Sequence, residues 1–244
     1  MESQDRDNVV TALQDSARRL AERPSIRDLE DTLGRIVHAA VETVPGVDAG
    51  GISMTENGQV ESRVPTIENI SKLDQLQSEL HEGPCITAVD DPPPTGVVVA
   101  DDLAGPEDRE RWPNFAPQAV ETGYRAILST QLSTTGARRA ALNLYSERPG
   151  SFDADARMTA GLFATQAALL LYGADSTAEI TRALANRDVI GQAKGILMER
   201  FGLSDQAAFE MLVTSSQKTN LKLVDVARWL TTERAARSAG SSEG

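Results

Sequence analysis

Cysteine is almost missing from this sequence. Cys85 stands alone, which excludes an internal disulfide framework and any multi-cysteine zinc site. Histidine is nearly as scarce: His38 and His81 lie far apart with no His-x-x-x-His spacing, so neither a metal site nor a cofactor is expected. Long apolar runs are absent as well. No stretch is long enough to span a bilayer, and the acidic opening "MESQDRDNVVTALQ" lacks the apolar core of a signal peptide; the expectation is a soluble, cytoplasmic chain with no membrane partner. Nor does the sequence write a nucleophile beside a base, a metal cluster or a phosphate loop. The carboxylates of "GPEDRERWPNFA" (Glu107, Asp108, Glu110) read as a solvated helical turn, and no enzyme is expected.

Positive charge is also in short supply, with 24 Lys+Arg against 36 Asp+Glu and a formal charge of -12. That average argues against a polyanionic partner, yet it hides an asymmetry. Residues 178–237 hold nine basic and seven acidic side chains, a net +2, which leaves -14 for the remainder. An acidic body joined to a slightly basic tail points to nucleic acid at the basic end, although solvated helix faces produce the same numbers.

At 244 residues the chain reads as a medium domain plus a small one. Residues from about Val9 to Val44 carry helical spacing, interrupted at Pro24 with Ser25 as a cap. "GGISMTENGQVESRV" has Asn57-Gly58 between two alternating runs, a hairpin signal. A helix is predicted over Ser71–Leu80, then the breaker "EGPC" and a short apolar piece "ITAV". "VVVA" reads as a buried strand. Residues 107–121 read as helix divided by its prolines, and "AILSTQLSTTGARRAALNLYS" as two strands around a Thr-Thr-Gly turn, with Leu142 and Leu144 on one face and Asn143 and Tyr145 on the other. From Asp153, a plausible cap, the pattern stays helical, and Leu162, Phe163, Leu169 and Leu170 are expected to pack on the sheet. Gly202 stops one helix, Ser204 caps a second, and Thr219-Asn220 precedes a third. The plan is α+β: an antiparallel sheet flanked by helices, a helical connector, and a small three-helix bundle. The divisions predicted are an N-terminal helical segment over 1–24, a sensor domain over 25–172, connector and bundle over 173–237, and a disordered tail over 238–244.

"RDVIGQAKGILMERFG" (187–202) places Gly191 and Gly195 inside a helix, where each costs about 1 kcal/mol relative to alanine. They share one face beside Lys194. Small residues at Gly191, Ala193 and Gly195 let a neighbouring helix approach closely, and the thin wall also leaves Lys194 and Gln192 accessible to phosphate or to a flipped loop base.

Both halves carry a family likeness. "EGPC", "RWPNFA" and "ALNLYSERPGSFD" together resemble GAF sensor domains of the actinobacterial type, although Arg138-Arg139-Ala140 stands where a glycine is expected. "ALANRDVIGQAKGILMERFGLSDQAAFEMLVTSSQKTNLKLVDVA" closely resembles the ANTAR domain, the RNA-binding output of transcription antitermination regulators. The resemblance implies a homodimer that binds stem-loops in nascent transcripts under control of a small-molecule ligand in the GAF domain. No receiver domain precedes the output, so control by aspartyl phosphorylation is not expected.

Gln192, Lys194, Ser216, Lys218, Asn220, Lys222 and Arg228 are the RNA-binding candidates, and Lys194, Lys218, Lys222 and Arg228 are expected to converge on one side of the bundle. RNA loops need only a modest basic face, hydrogen bonders and close backbone approach. A major-groove reader would need more than Lys222 and Asp225 at the start of its recognition helix. Cys85, Trp112, Phe115, Asn143 and Tyr145 are candidates for a ligand pocket, with Cys85 reading foremost as a small buried hydrophobe. Two alternatives stand beside the RNA reading: a small-molecule-binding or dimerising protein without nucleic acid, and a helix-turn-helix DNA-binding regulator.

Overall fold

A computed structural model describes residues 26–56, 59–132 and 138–240. The N-terminal segment with its Ser25 cap, the Asn57-Gly58 turn and the Thr134-Thr135-Gly136 turn lie outside the described residues. The chain divides into two compact units, 1–174 and 175–244.

In the first unit, helix α1 (Ile26–Thr43) leads into an antiparallel pair, β1 (Ala49–Glu56) and β2 (Gln59–Arg63). Helices α2 (Glu68–Leu80) and α3 (Pro84–Asp90) follow, then β3 (Val97–Ala100), the short helices α4 (Pro106–Arg111) and α5 (Phe115–Glu121), and the strands β4 (Ala126–Gln131) and β5 (Arg138–Ser146). The strands form one antiparallel sheet in the order β2-β1-β5-β4-β3.

Strand alternation sends side chains to two separate cores. Leu142 and Leu144 face a cluster built with Leu33, Ile36, Val37 and Ala40 of α1 and with Phe163 and Leu170 of the helix that follows β5. Tyr145, one residue on, joins the opposite cluster of Ile70, Leu73, Trp112 and Phe115. Helices thus cover both faces of the sheet, as a two-sided apolar sheet requires.

Three expectations change, while the helix begun by Pro84 takes in the "ITAV" piece. "VVVA" is an edge strand whose burial alternates rather than a fully buried one; Pro92 to Pro94 just before it suit an edge. Of the four residues expected against the sheet, Phe163 and Leu170 are buried, while Leu162 and Leu169 stay 42% and 59% exposed. The last helix continues to Gly240, into the stretch expected to be disordered, with 241–244 outside the described residues.

Asp153 caps the long helix α6 (Ala154–Phe201), its Oδ1 accepting the Ala156 N–H at 2.8 Å. With no proline in 48 residues, α6 passes uninterrupted from the first unit into the second. Gly202 ends it at φ 65°, its N–H bonded to the Met198 carbonyl. Ser204 then caps α7 (Asp205–Thr219) by accepting from the Ala207 N–H, and Asn220 at φ 53° turns the chain into α8 (Leu223–Gly240). The second unit is a three-helix bundle around Ala193, Leu197, Ala208, Leu212 and Ala227. No described helix is long and apolar enough to cross a membrane.

Candidate functional site: a polar core and an exposed groove

The core on the α2 side of the sheet is polar at its centre. Ile70, Leu73, Asp74 and Gln77 form the buried stripe of α2, so a carboxylate and an amide stand where helical periodicity puts hydrophobes. Asp74 Oδ1 accepts from the Tyr145 hydroxyl at 2.5 Å and from Asn143 Nδ2 at 3.1 Å, and Oδ2 accepts from Ser62 Oγ at 2.7 Å. Asn143 also donates to Ser53 Oγ and accepts from Ser129 Oγ, each at 2.8 Å. Gln77 Nε2 donates to the Tyr145 oxygen at 3.3 Å, while its Oε1 accepts the Cys85 N–H at 2.9 Å. Gly83, at φ 119°, makes that last contact feasible, since a Cβ there would lie 2.3 Å from Gln77 Oε1. The network joins two helices to four strands.

Burial pushes the Asp74 carboxyl above the ordinary carboxylate range, against the pull of hydrogen bonds from Tyr145, Ser62, Ser53 and Asn143. Burial and the neighbouring Asp74 likewise raise the Tyr145 hydroxyl well above its usual value.

All five residues expected to line a pocket are buried. The structure brings Cys85, Asn143 and Tyr145 into this one network, whereas Trp112 donates through Nε1 to Thr87 Oγ1 at 3.3 Å beneath the Arg111 guanidinium, 4.2 Å from the ring centroid. Phe115 belongs to the apolar part of the same core. Sequence reading missed Asp74, Gln77, Ser53, Ser62 and Ser129. The signal available was the polar alternation at Asn143 and Tyr145, which demanded partners across the sheet.

The second unit carries an open groove of about 740 Å³ along α6, lined by Asn186, Arg187, Gly191, Gln192 and Lys194 with Phe209 of α7, alongside Ala183, Asp188 and Ile190. Gly191 and Gly195 are exposed, and a Cβ on either would meet nothing within 4 Å. Of the three small residues expected to admit a neighbouring helix, Ala193 is fully buried together with Ala208 and Ala227, whereas Gly191 and Gly195 stand outside that contact.

The cations expected to converge do not all gather at one place. Lys194 Nζ pairs with Asp205 Oδ1 at 2.5 Å, at the first residue of α7. Lys218 lies thirteen residues further along that helix, about 20 Å away by helical rise. Arg228 reaches back to α6, its Nη2 donating to Asn186 Oδ1 at 3.4 Å and its Nη1 pairing with Asp225 at 3.3 Å. Ser216, Lys218, Asn220 and Lys222 cluster around the α7–α8 turn, where Ser216 Oγ donates to the Leu221 carbonyl at 2.6 Å. The candidates therefore fall into two groups: Gln192 and Lys194 in the groove with Arg228 tied to its rim, and the others at the turn.

A GAF domain family model matches residues 26–171, well over half of the chain, and an ANTAR domain model matches residues 178–230. The chain belongs to the GAF domain family and carries an ANTAR domain. No curated protein matches the sequence. Among solved structures, the GAF domain of an Acinetobacter phosphoenolpyruvate-protein phosphotransferase is similar at 16% identity and a TM-score of 0.50, covering 72% of this chain and 97% of that one. A bacteriophytochrome from R. palustris is similar at 14% identity and a TM-score of 0.50, over 83% of this chain and 45% of that one. Identities this low speak to fold alone.

In the GAF domain, the thiol of Cys85 is pushed up to about 12, first by burial and then by the nearby Asp74 charge. Thiolate is the reactive form, so native protein is expected to resist iodoacetamide at neutral pH and to be alkylated only after denaturation. Mass spectrometry reads this directly; rapid modification of the folded protein would contradict it. Replacement of Cys85 by alanine is expected to leave the fold intact.

Proposed function

We propose that this protein is a signal-responsive regulator whose ANTAR domain binds stem-loops in nascent transcripts and thereby controls termination or antitermination, with the GAF domain as its ligand-responsive sensor. It acts as a cytoplasmic homodimer through binding alone, without catalysis. The observation that carries the RNA reading is the surface of the ANTAR domain: a bare-backbone groove lined by Lys194, Arg187 and Gln192, and Lys218 and Lys222 exposed at the α7–α8 turn. RNA loops are held by such modest basic faces with amides and close backbone approach. The start of α8 supports DNA reading poorly, because Leu223 and Val226 turn into the bundle core and Asp225 pairs with Arg228.

Repulsion from the acidic body is screened beyond about 8 Å at physiological salt, so a local basic face still attracts phosphate. Titration of the full chain against structured leader RNA and duplex DNA at two salt concentrations tests the reading. Preference for RNA is expected, with each charge-removing change at Lys218 or Lys222 reducing the salt slope by about 0.7 to 0.9. Equal, weak affinity for both would end it.

The GAF ligand would be an unidentified small molecule that exchanges its own polar groups for the mutual bonds of Asn143, Tyr145 and Asp74. Dimerisation is supported by exposed hydrophobes on α6. Leu162 and Leu169, seven apart in the GAF domain, and Ile180 and Leu184 beyond it are all exposed, and apolar helix surface of that spacing pairs readily with its copy. Light scattering at micromolar concentration is expected to return twice the 26.2 kDa chain mass, and Leu169→Glu to shift it toward monomer. Monomer mass for the unmodified protein would refute the dimer.

A further inference from the structure

Asp74 is a buried carboxyl group with neutral partners. It is 1% exposed, and it is bonded to the hydroxyls of Tyr145 and Ser62 and to the Asn143 amide. A carboxyl so placed is more readily neutralised by a proton than kept charged. The hydrogen bonds fix where that proton sits. The Cys85 N–H can only donate, so the Gln77 amide turns its oxygen toward it and its nitrogen toward Tyr145. The Tyr145 oxygen thus receives a hydrogen from Gln77, and its own single hydrogen goes to Asp74 Oδ1. Oδ1 is committed as an acceptor. The bond of Oδ2 is to Ser62 Oγ at 2.7 Å, and a serine hydroxyl rotates between donor and acceptor. Ser62 differs in place as well: Tyr145 and Asn143 are wholly buried, whereas Ser62 is half-buried on the edge strand β2, beside exposed Glu61.

We infer that Asp74 Oδ2 is a proton-binding site of the GAF domain and that Ser62 is its gate to water. With the carboxyl neutral, Oδ2–H donates to Ser62 Oγ and the serine hydrogen turns outward. On ionisation the carboxyl proton passes to Ser62 Oγ as the serine's own hydrogen leaves to water, and Ser62 then donates to Oδ2. One proton thus reverses the bond that ties α2 to β2, and the domain registers acidity with no small molecule in its core. The inference stands apart from the RNA and ligand readings. The other titratable groups around this carboxyl keep out of the exchange. Tyr145 from β5 and Cys85 from α3 are both held protonated by burial, the first well above its usual value and the second pushed up to about 12. Ser53 from β1 and Gln77 of α2 itself do not titrate. Arg63, next to Ser62 on β2, is paired with Glu30 and Glu61, and Asp90, at the end of α3, is paired with Arg139 and His81.

Infrared spectroscopy of the full chain reads the proton directly. As pH rises past the ordinary carboxylate range at about pH 4, a carboxylic-acid C=O band is expected to persist and then to be lost. Burial raises Asp108 as well, so the Asp74 band is the one that Asp74→Asn lacks. Ser62→Ala removes a donor to the ionised form, and is expected to move the loss of that band upward by about one pH unit, the size of a hydrogen bond to a charged group. It is also expected to slow the shift of the band on transfer to heavy water. Ser62→Thr keeps the hydroxyl and should restore both. A purely structural Ser62 would lower stability when replaced by alanine and leave the band's pH and its exchange where they were. That result would overturn the gate, and the absence of any band that Asp74→Asn removes would overturn the site. Circular dichroism reports whether each variant folds. Should Ser62→Ala not fold, exchange in the unmodified protein decides: a band that shifts no faster than the backbone amides of α2 exchange would overturn the gate.

Discussion

Replacing Asp74 with alanine is expected to cost the GAF domain about 3 kcal/mol, enough to lower its melting temperature by about 6 to 12 °C. The loss comes from the donors left behind. Tyr145, Asn143 and Ser62 all point at this carboxylate inside the core, where an unmet polar group carries its full desolvation penalty. The pH dependence gives a second readout. The folded-state value of Asp74 is raised, so the native state holds its proton more tightly than the unfolded chain does. That contribution is full below the ordinary carboxylate range near pH 4 and is lost as pH rises through the raised folded value. Asp74→Asn carries no titrating group at this position. Urea denaturation of the unmodified protein and Asp74→Asn from pH 4 to pH 7 should therefore show the unmodified protein losing ground as pH rises. A gap that stays constant, or widens in favour of the carboxylate, would contradict the assignment.

In the ANTAR domain the sharpest contrast lies between two small residues two positions apart, about 200° around the helix. Ala193→Leu is expected to destabilise the bundle by about 1 to 3 kcal/mol, because overpacking a tight site forces backbone shifts. Ala193 is fully buried against a core whose other buried members are Leu197, Ala208, Leu212 and Ala227. So small a core leaves little reserve, and loss of cooperative melting should follow while the GAF transition stays in place. Gly195→Ala should do the opposite. Its new Cβ meets nothing within 4 Å, and the helix gains up to about 1 kcal/mol. Calorimetry on the two variants decides the matter; a Gly195→Ala change as damaging as Ala193→Leu would mean that the glycines, and not the alanines, make the helix contact.

The same pair shows how far the sequence could be read. Spacing located the helix and placed 191, 194 and 195 together, but periodicity does not say which of two adjacent stripes faces inward. At Leu162-Phe163 and Leu169-Leu170 the ambiguity is identical: neighbours on a helix differ by about 100°, and only the position of the sheet chose Phe163 and Leu170. Strands were more legible, since a period of two admits just two faces, and Leu142, Asn143, Leu144 and Tyr145 fall where alternation put them. Asp74 and Gln77 were hidden because polar residues on a helix default to solvent. The held state of Lys194 was hidden because Asp205 reaches it only once α7 has turned back along α6.

The outer edge of β3 bears on how these molecules avoid clumping. The Gly96 carbonyl bonds inward to the Gln131 N–H, so by alternation the carbonyls of Val97 and Val99 turn away from the sheet. An exposed ladder of that kind is a template for a foreign strand. Here the edge is four residues long, follows three prolines, and has its Val99 carbonyl occupied by Arg111 Nη1 at 3.3 Å. Arg111→Ala would free that acceptor next to a run of valines, leaving the short length of the strand and the prolines before it as the remaining guards of the edge.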